Sequence, residues 1–268
     1  MKRPPAGGRP VQSTDGHRRD MVKLLQENCG RHQMHTVFSD FVEMAAIALA
    51  NAVDLRQRDP REKRYLDIVG RYTREQAMNF SKALACLTMA LETAGFADVL
   101  GVAFMELDLG SKWAGQFFTP YPVCQLMASI NAEGLTEKLE ERGFVTCSDP
   151  AAGAGALPIA FAEAMQLAGH NYQQCLHVTA QDVDARAAQM AYIQLSLLHV
   201  PAVVIVGNSL AVETREVWYT PAHILGGWSR RLAAASRIHS TAYEIRSEPE
   251  PDTTTEDIGQ PQLAGLFD

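Results

Sequence analysis

The sequence predicts an α/β fold, in which a helical amino-terminal region precedes an abbreviated parallel sheet. Residues 36–54 and 62–93 carry apolar side chains at the three- and four-residue intervals of helices that pack against a core. Three β-prone runs follow, separated by helical segments, which is typical of parallel strands joined by crossovers. The runs are 144–147, 176–182 and 202–206, with a shorter fourth at 217–219.

Composition favours a protein of the reducing cytoplasm. With 268 residues, of which 47% are hydrophobic, the chain can bury a substantial core. It has no run of eighteen apolar residues and no signal peptide, so we expect neither membrane insertion nor secretion. Its five cysteines include no C-x-x-C pair and suit reduced thiols. Cys29, His32 and His35 lack a fourth ligand nearby, so we expect no metal site.

The chain divides into four regions. Residues 1–34 are basic and contain Pro and Gly, so we expect a disordered arm there. Residues 35–110 form the helical region, and residues 111–246 form the α/β domain. Residues 247–268 carry six acidic side chains and no Lys or Arg, which predicts a disordered acidic tail.

A glycine-rich turn connects the first run with the helix that follows it. Asp149 ends the run, and Ala151, Gly153 and Gly155 precede an apolar helix at 157–167. An acid at a strand end, then small residues and a helix start, is the layout of a nucleotide-type cofactor loop. The loop lacks the features of a phosphate-binding loop, because it has neither a terminal Lys-Ser/Thr nor G-x-G-x-x-G spacing. The alternative is a tight strand–helix turn without a ligand.

Further candidate residues lie on either side of this loop. Phe118, Thr119 and Pro120 end the segment G-Q-F-F-T-P; as an alternative, Thr119 caps a helix and Pro120 lies in its first turn. Asp182 ends the second run, where such folds accept hydrogen bonds from ribose hydroxyls. Asn208 follows the third run, and its alternative role is that of a turn residue.

In this order, the three elements resemble the adenine-N6 DNA methyltransferases. That family's loop usually reads D-P-A-x-G-x-G, its first cofactor motif is similar to G-Q-F-F-T-P, and its acidic segment resembles A-Q-D-V-D of this chain. The segment D-V-L-G at 98–101, followed by Met105 and Glu106, is similar to the modification subunits of type I restriction systems. The resemblance covers residues 98–210 and implies a Rossmann-like sheet that binds S-adenosylmethionine.

The resemblance also implies which residues hold this cofactor. Residues 118–120 would lie over its methionine end, Asp182 would accept from the ribose, and Asn208 would accept from the adenine amino group through its amide oxygen. The implied residues are Phe118, Thr119, Pro120, Asp149, Ala151, Gly153, Gly155, Asp182 and Asn208.

The family's catalytic tetrapeptide, [DN]-P-P-[YFW], does not occur in the sequence. The nearest candidate in position is Thr220-Pro221-Ala222-His223, after the fourth run. By resemblance, Thr220 and the Pro221 carbonyl would accept hydrogen bonds from the target amino group, and His223 or Tyr219 would stack on an extruded base. The alternative is a turn followed by a short helix.

These features predict an S-adenosylmethionine-dependent methyltransferase that acts on adenine N6 in DNA. We see no target-recognition domain, which favours low sequence specificity and single-stranded DNA, where a base is extruded at the least cost. The net charge of −7 argues against a generally basic nucleic-acid binder, but Arg230 and Arg231 are candidate DNA contacts, with a solvated helix face as their alternative. The rival hypothesis is a non-catalytic cofactor- or DNA-binding accessory protein of a modification or replication complex.

Two features predict partners. Strands in the order 3-2-1 leave the first strand near an open edge, which soluble proteins usually cover, so we expect a homo-oligomer or a partner subunit. The tail ends in an apolar peptide that looks like the sliding-clamp motif Q-L-x-L-F with one extra residue. Its candidate docking residues are Gln262, Leu263, Leu266 and Phe267.

Overall fold

The computed structural model describes residues 13–107, 109, 118–132 and 134–236. The chain separates into two compact units, Met1–Trp228 and Ser229–Asp268. The helices and strands numbered below belong to the first unit. Within the described residues, every helix is too short or too polar to cross a lipid bilayer.

The amino-terminal part of the first unit is helical. Its helices are α1 (Thr14–Glu27), α2 (Met34–Asn51), α3 (Arg58–Val69), α4 (Arg74–Ala94) and α5 (Val99–Glu106). The Ser13 hydroxyl caps α1, Thr73 and Gln76 form a capping box at the start of α4, and the Asp98 carboxylate caps α5. Through their apolar faces α1 packs on α4 and α2 packs on α3, which builds a helical layer beside the sheet.

The prediction of a disordered arm over residues 1–34 is wrong for Thr14–Glu27. These residues form α1, and Met21 and Leu25 on one of its faces are fully buried. The two apolar side chains lie four positions apart and therefore share one side of the helix. Charged residues surround them, so the composition of the segment did not reveal this amphipathic helix. Residues 1–12 lie outside the described residues.

The α/β part follows the helical layer. It begins with α6 (Tyr121–Asn131) and α7 (Leu135–Arg142). The elements that follow are β1 (Val145–Asp149), α8 (Ala156–Leu167), α9 (Tyr172–Cys175), β2 (Leu176–Asp182), α10 (Ala185–Leu197), β3 (Ala202–Val206), β4 (Glu216–Tyr219) and α11 (Pro221–Leu225).

The strands form one sheet in the order β1-β2-β3-β4. The first three are parallel, with Asp149 opposite Ala180 and Asp182 opposite Val206, whereas β4 runs antiparallel to β3. Helix α8 contacts β1 and β2, and α10 contacts β2, β3 and the helical layer through α2. The prediction of an abbreviated α/β sheet behind a helical region is confirmed, and β1 is an edge strand among the described residues.

The outer strand β4 is fixed to the helical layer by a buried arginine. Arg61 of α3 forms an ion pair with Asp54 at 2.8 Å, and its guanidinium lies 4.2 Å from the centroid of the Trp218 ring. It also donates a hydrogen bond to the Val217 carbonyl at 3.3 Å. A buried guanidinium needs such partners, so this cluster determines where β4 and α3 meet.

Candidate cofactor site

Two carboxylates meet at the carboxyl edge of the parallel strands. Asp149 ends β1 and Asp182 ends β2, and neighbouring parallel strands end at the same edge. Asp182 accepts hydrogen bonds from the backbone N–H groups of Gly153 and Asp184, both at 2.9 Å. Asp149 accepts one from Ala151 at 3.2 Å. The glycine-rich turn is therefore drawn onto both strand ends.

The charge of Asp182 affects the ionisation of Asp149. Burial raises the pKa of Asp149 above its ordinary value, and the nearby charge of Asp182 raises it further. The hydrogen bond from the Ala151 N–H acts in the opposite direction, because it favours the ionised form. This edge of the sheet thus carries a concentration of negative charge and attracts a cationic ligand.

The loop's own N–H groups are largely used inside the protein. Besides the bonds from Ala151 and Gly153, the N–H of Ala152 donates to Gln181 O at 2.9 Å and that of Gly155 donates to Ala152 O at 2.8 Å. A phosphate-binding loop needs such groups unpaired and pointing at the anion. Four N–H groups of the loop are therefore used inside the protein, in agreement with a sequence that lacks the phosphate-binding pattern.

At Gly153 the glycine-rich loop lies against Phe118 of the segment G-Q-F-F-T-P. Its φ is +55°, and a Cβ placed there would lie 2.8 Å from Cδ1 of Phe118. The Phe118 ring also packs on Phe104, with centroids 5.2 Å apart. Phe118 is half-buried, so it forms an aromatic wall beside the loop.

Gly155 packs closely against α10, and its predicted contact with the ligand stays a prediction. Its φ is +91°, and a Cβ there would lie 3.1 Å from Cβ of Ala191 on α10. Gly155 is buried and lets the loop approach α10 closely. Thr119 and Pro120 are exposed, and α6 begins at Tyr121, so the helix starts later than a Thr119 cap would imply.

Asn208 lies at the same edge as the carboxylates. It follows β3, and the Gly207 N–H donates to Asp182 O at 2.9 Å, which joins the two strand ends. The Asn208 amide oxygen accepts from the N–H groups of Leu210 at 3.0 Å and Ala211 at 3.2 Å. The predicted role of this oxygen as an acceptor for the adenine amino group is therefore not supported.

The predicted catalytic residues lie at the opposite edge of the sheet. Because β4 is antiparallel, Tyr219 pairs with Val203 at the start of β3, whereas Glu216 pairs with Val206 at its end. Tyr219, Thr220, Pro221 and His223 are thus separated from Asp149 and Asp182 by the length of the strands. Their assignment to the target-base pocket has to be corrected.

Their contacts are those of a turn and a short helix. Thr220 is fully buried, and its hydroxyl accepts from Ala202 N at 2.8 Å and donates to Val200 O at 2.9 Å. Pro221 opens α11. His223 is buried, with its Nδ1 2.9 Å from Nε2 of His177. The alternative interpretation of this segment, a turn followed by a helix, is the one that the structure shows.

Sequence reasoning missed a buried glutamine beneath the loop. Gln194 of α10 donates to Asp98 Oδ1 at 2.9 Å and to the Ala154 carbonyl at 2.8 Å, and its side-chain oxygen accepts from Leu100 N at 3.0 Å. The loop is thereby joined to the start of α5. The available signal was a Gln among the apolar positions of a core helix, although Gln189 of the same helix shares it.

The remaining predicted contacts lie outside the first unit. Arg230 and Arg231 belong to the second unit, where residues 229–236 are helical. Their contact with DNA stays a prediction. The docking residues of the tail, Gln262, Leu263, Leu266 and Phe267, lie outside the described residues.

The sequence of the site matches a known family. Residues 107–224 match the model of the family described as N-6 DNA Methylase, and this segment includes Phe118, Asp149, Asp182 and Asn208. The segment is therefore similar to the N-6 DNA methylases, and the match covers less than half of the chain. None of the curated proteins matches the chain.

The chain is also similar to solved structures. One is described as a class I S-adenosylmethionine-dependent methyltransferase from Listeria monocytogenes, with 15% identity, a TM-score of 0.40, and coverage of 69% of this chain and 51% of that one. Another is a type I restriction-modification system methyltransferase subunit from Streptococcus thermophilus, with 22% identity, a TM-score of 0.36, and coverage of 70% and 42%. The chain thus spans about half the length of these proteins or less.

The side chains of this site fit S-adenosylmethionine. That cofactor carries a positive sulfonium, an ammonium group and ribose hydroxyls that donate hydrogen bonds. Asp149 and Asp182 offer negative charge and acceptor oxygens at the strand ends, and Phe118 offers an apolar wall. The negative charge of the two carboxylates disfavours a phosphate, which this cofactor does not have.

Proposed function

We propose that the protein binds S-adenosylmethionine at the carboxyl edge of β1–β3 and transfers its methyl group to adenine N6 in DNA. The observation that carries the proposal is the pair of carboxylates, Asp149 and Asp182, at the strand ends, where both accept hydrogen bonds from the glycine loop. The family model that matches residues 107–224 supports adenine N6 in DNA as the methyl acceptor, because that family is described as N-6 DNA methylase.

The residues of the edge have separate tasks. Asp182 accepts the ribose hydroxyls while its own position is fixed by Gly153 and Asp184. Asp149 balances the positive charge of the bound ligand, and Phe118 keeps water from the side next to the loop. When bound, S-adenosylmethionine supplies a methyl group on a positively charged sulfur, which is a good leaving group. The chain therefore contributes alignment and charge balance more than acid–base chemistry.

The target base would approach next to β1. If the ribose binds at Asp182 and the base of the cofactor extends towards β3, the methyl end lies towards β1. Among the described residues β1 pairs only with β2, so its other edge is available to a second copy or a partner subunit. Groups that hold an extruded adenine would then come from that neighbour. Single-stranded DNA suits such a pocket, because its bases need not be unpaired first.

A second candidate function is a non-catalytic one. The position of Thr220 and His223 at the far edge favours it, because the segment closest to the family's catalytic motif serves folding instead. The protein would then hold the cofactor, or DNA, as an accessory of a modification complex.

Transfer of tritiated methyl groups separates the two candidates. The full chain is incubated with labelled S-adenosylmethionine and with single- or double-stranded DNA, and the DNA is digested to nucleosides. We expect label in N6-methyladenine, more with single strands, loss of the label in Asp182→Ala, and no change in Tyr219→Phe. Binding of the cofactor without label in any DNA would contradict transfer by this chain and support the accessory role.

A further inference from the structure

Arg186, in the first turn of α10, contacts three parts of the first unit. Its guanidinium donates to the Asp184 carboxylate at the start of the same helix, at 3.2 Å, and to the Ser39 hydroxyl of α2, at 3.4 Å. The guanidinium carbon also lies 4.9 Å from the centroid of the Phe104 ring on α5. A flat cation with several N–H groups can make these contacts at once, which a lysine ammonium cannot.

Two of these contacts lead to the candidate cofactor site. The Asp184 N–H donates to the Asp182 carboxylate at 2.9 Å. On the other side, Phe104 packs on Phe118, which lies against the glycine-rich loop. Arg186 is therefore connected with the predicted ribose acceptor on one side and with the aromatic wall on the other.

The ring of His35 fixes the position of this guanidinium. Nε2 of His35 lies at hydrogen-bond distance from Nη1 of Arg186. Because an arginine only donates, Nε2 has to be the acceptor, and the ring is neutral with its proton on Nδ1. A protonated ring could not accept this bond and would place a second positive charge beside Arg186.

His35 lines a cavity of about 290 Å³ together with the charged groups around it. Glu43 of α2 and Arg64 of α3 pair with each other, and Asp184 and Arg186 face the ring from α10. Partial burial and the charge of Arg186 lower the pKa of His35 below its ordinary value, while the charge of Asp184 acts in the opposite direction. The ring is open to solvent and can therefore exchange its proton.

We propose that Arg186 is a positioning residue for the cofactor site, and that the neutral ring of His35 holds it in this role. The inference rests on the proposed cofactor site. Protonation of His35 breaks its bond to Arg186 and repels the guanidinium, so the contacts with Asp184 and Phe104 weaken together. The affinity for a nucleoside ligand then falls at pH values below the pKa of His35 and is retained above it.

The variant His35→Gln separates this effect from the titration of Asp149. Protonation of Asp149 also lowers the affinity for a cationic ligand in acid, because it removes a negative charge from the site. The Gln amide oxygen can still accept from Arg186, and it does not ionise. The contribution of His35 is therefore the part of the pH dependence that His35→Gln lacks.

Calorimetry of the full chain with S-adenosylhomocysteine at about pH 7.5 and about pH 5.0 tests the inference. Between these values we expect the wild-type affinity to fall at least about fivefold more than that of His35→Gln, and the two chains to bind alike at the higher pH. Arg186→Lys should lose about tenfold in affinity at the higher pH. Arg64→Lys, at an arginine of the same cavity that pairs with Glu43, is the control and should lose less than about twofold. Thermal unfolding at both pH values checks the fold of each variant.

The possible failures are distinct. Equal losses of affinity on acidification in the wild type and in His35→Gln would overturn the role of His35, and full affinity in Arg186→Lys would overturn the positioning role. Where Arg186→Lys does not fold, the comparison of His35→Gln with the wild type decides. Absence of S-adenosylhomocysteine binding to the wild-type chain at both pH values would overturn the cofactor site, and this inference with it.

Discussion

Asp149 occupies a position where its charge opposes folding. Burial, with a contribution from the charge of Asp182, raises its pKa, so the ionised form is disfavoured in the folded protein. A group with a raised folded pKa costs stability at pH values above its unfolded pKa, and the cost disappears at lower pH, where both states are protonated. The proposed cationic ligand would offset this cost, so the proposed binding role accounts for a residue that stability alone does not explain.

The variant Asp149→Asn should separate the effect of this charge on stability from its effect on ligand binding. The amide can still accept from Ala151, but it carries no charge. At pH 7 we expect the ligand-free variant to unfold at the same temperature as the wild type or higher, and its affinity for S-adenosylhomocysteine to fall by about tenfold or more. Thermal unfolding with and without the ligand measures both, and Glu137→Gln, an exposed carboxylate on α7, is the matched control. A lower unfolding temperature with full affinity would contradict this role.

A side chain at Gly153 would strain the backbone and would also collide with Phe118, whereas one at Gly143 would only strain the backbone. Gly153→Ala places a Cβ at φ +55° and 2.8 Å from the Phe118 ring, whereas Gly143→Ala places one at φ +72° with no atom within 4 Å. The backbone cost of about 1–2 kcal/mol is common to both variants. We expect Gly153→Ala to lose more stability in urea unfolding than Gly143→Ala, and it alone to lose ligand affinity. Equal losses in the two variants would show that the contact with Phe118 is unimportant.

At the scale of elements, the loop depends on a buried network rather than on its own sequence. Gln194 joins the Ala154 carbonyl to Asp98, which is buried and has a pKa raised by that burial. Its hydrogen bond to Asp98 favours the ionised form. Two helices and the loop are thereby held in one arrangement.

Removal of the Gln194 amide should lower the free energy of unfolding. Gln194→Leu keeps the approximate volume but leaves the Ala154 carbonyl, the Leu100 N–H and the Asp98 carboxylate without this partner. We expect a loss of about 2–4 kcal/mol in urea unfolding, because buried polar groups are left unpaired. Gln189→Leu, at another buried position of α10, is the control and should lose less. A loss of less than about 0.5 kcal/mol in Gln194→Leu would contradict the network, since that is the range of neutral surface changes.

Local patterns account for what the sequence could predict. The runs that end at Asp149, Asp182 and Asn208 predicted three strands with polar ends, because strand, turn and helix signals lie within a few residues of one another. The direction of β4 depends on a different constraint. The connection 207–215 is shorter than the dozen or so residues that a parallel crossover needs, so β4 returns antiparallel and carries Thr220 to the far edge. The assignment of residues 220–223 to a catalytic motif did not consider the length of the connection 207–215.

Contacts between distant segments could not be predicted in the same way. The partner of Gly153 is Phe118, and that of Gly155 is Ala191. Gln194 acts on Ala154 across a long separation in sequence. Each contact depends on how α8 and α10 pack, which no local pattern specifies. The sequence therefore indicated the strand ends that form the candidate site but not the contacts of its glycines.

At the scale of the molecule, the edge of β1 and the surface of α6 are unpartnered among the described residues. Four apolar side chains of α6 are exposed at helical spacing: Val123, Leu126, Met127 and Ile130. Open edges and apolar patches are usually covered in soluble proteins. We therefore retain the prediction of an oligomer, with a second copy as the partner.

The oligomeric state can be checked on the full chain. We expect sedimentation velocity to show a dimer at micromolar concentration, and Leu126→Lys with Ile130→Lys to shift it towards the monomer, because charge is placed on a face that would be buried. Leu55→Lys, at an exposed apolar position away from α6, is the control. A wild-type monomer over the whole concentration range would contradict the prediction.

The central claim is that the carboxyl edge of the sheet binds a cationic nucleoside and not a phosphate. Titration calorimetry of the full chain with S-adenosylmethionine, ATP and NAD under the same conditions tests it most directly. Two carboxylates beside a loop that lacks the phosphate-binding sequence pattern predict one S-adenosylmethionine per chain and no measurable binding of ATP or NAD. Binding of either phosphate-containing ligand as tightly as S-adenosylmethionine, or no binding of S-adenosylmethionine, would contradict the claim.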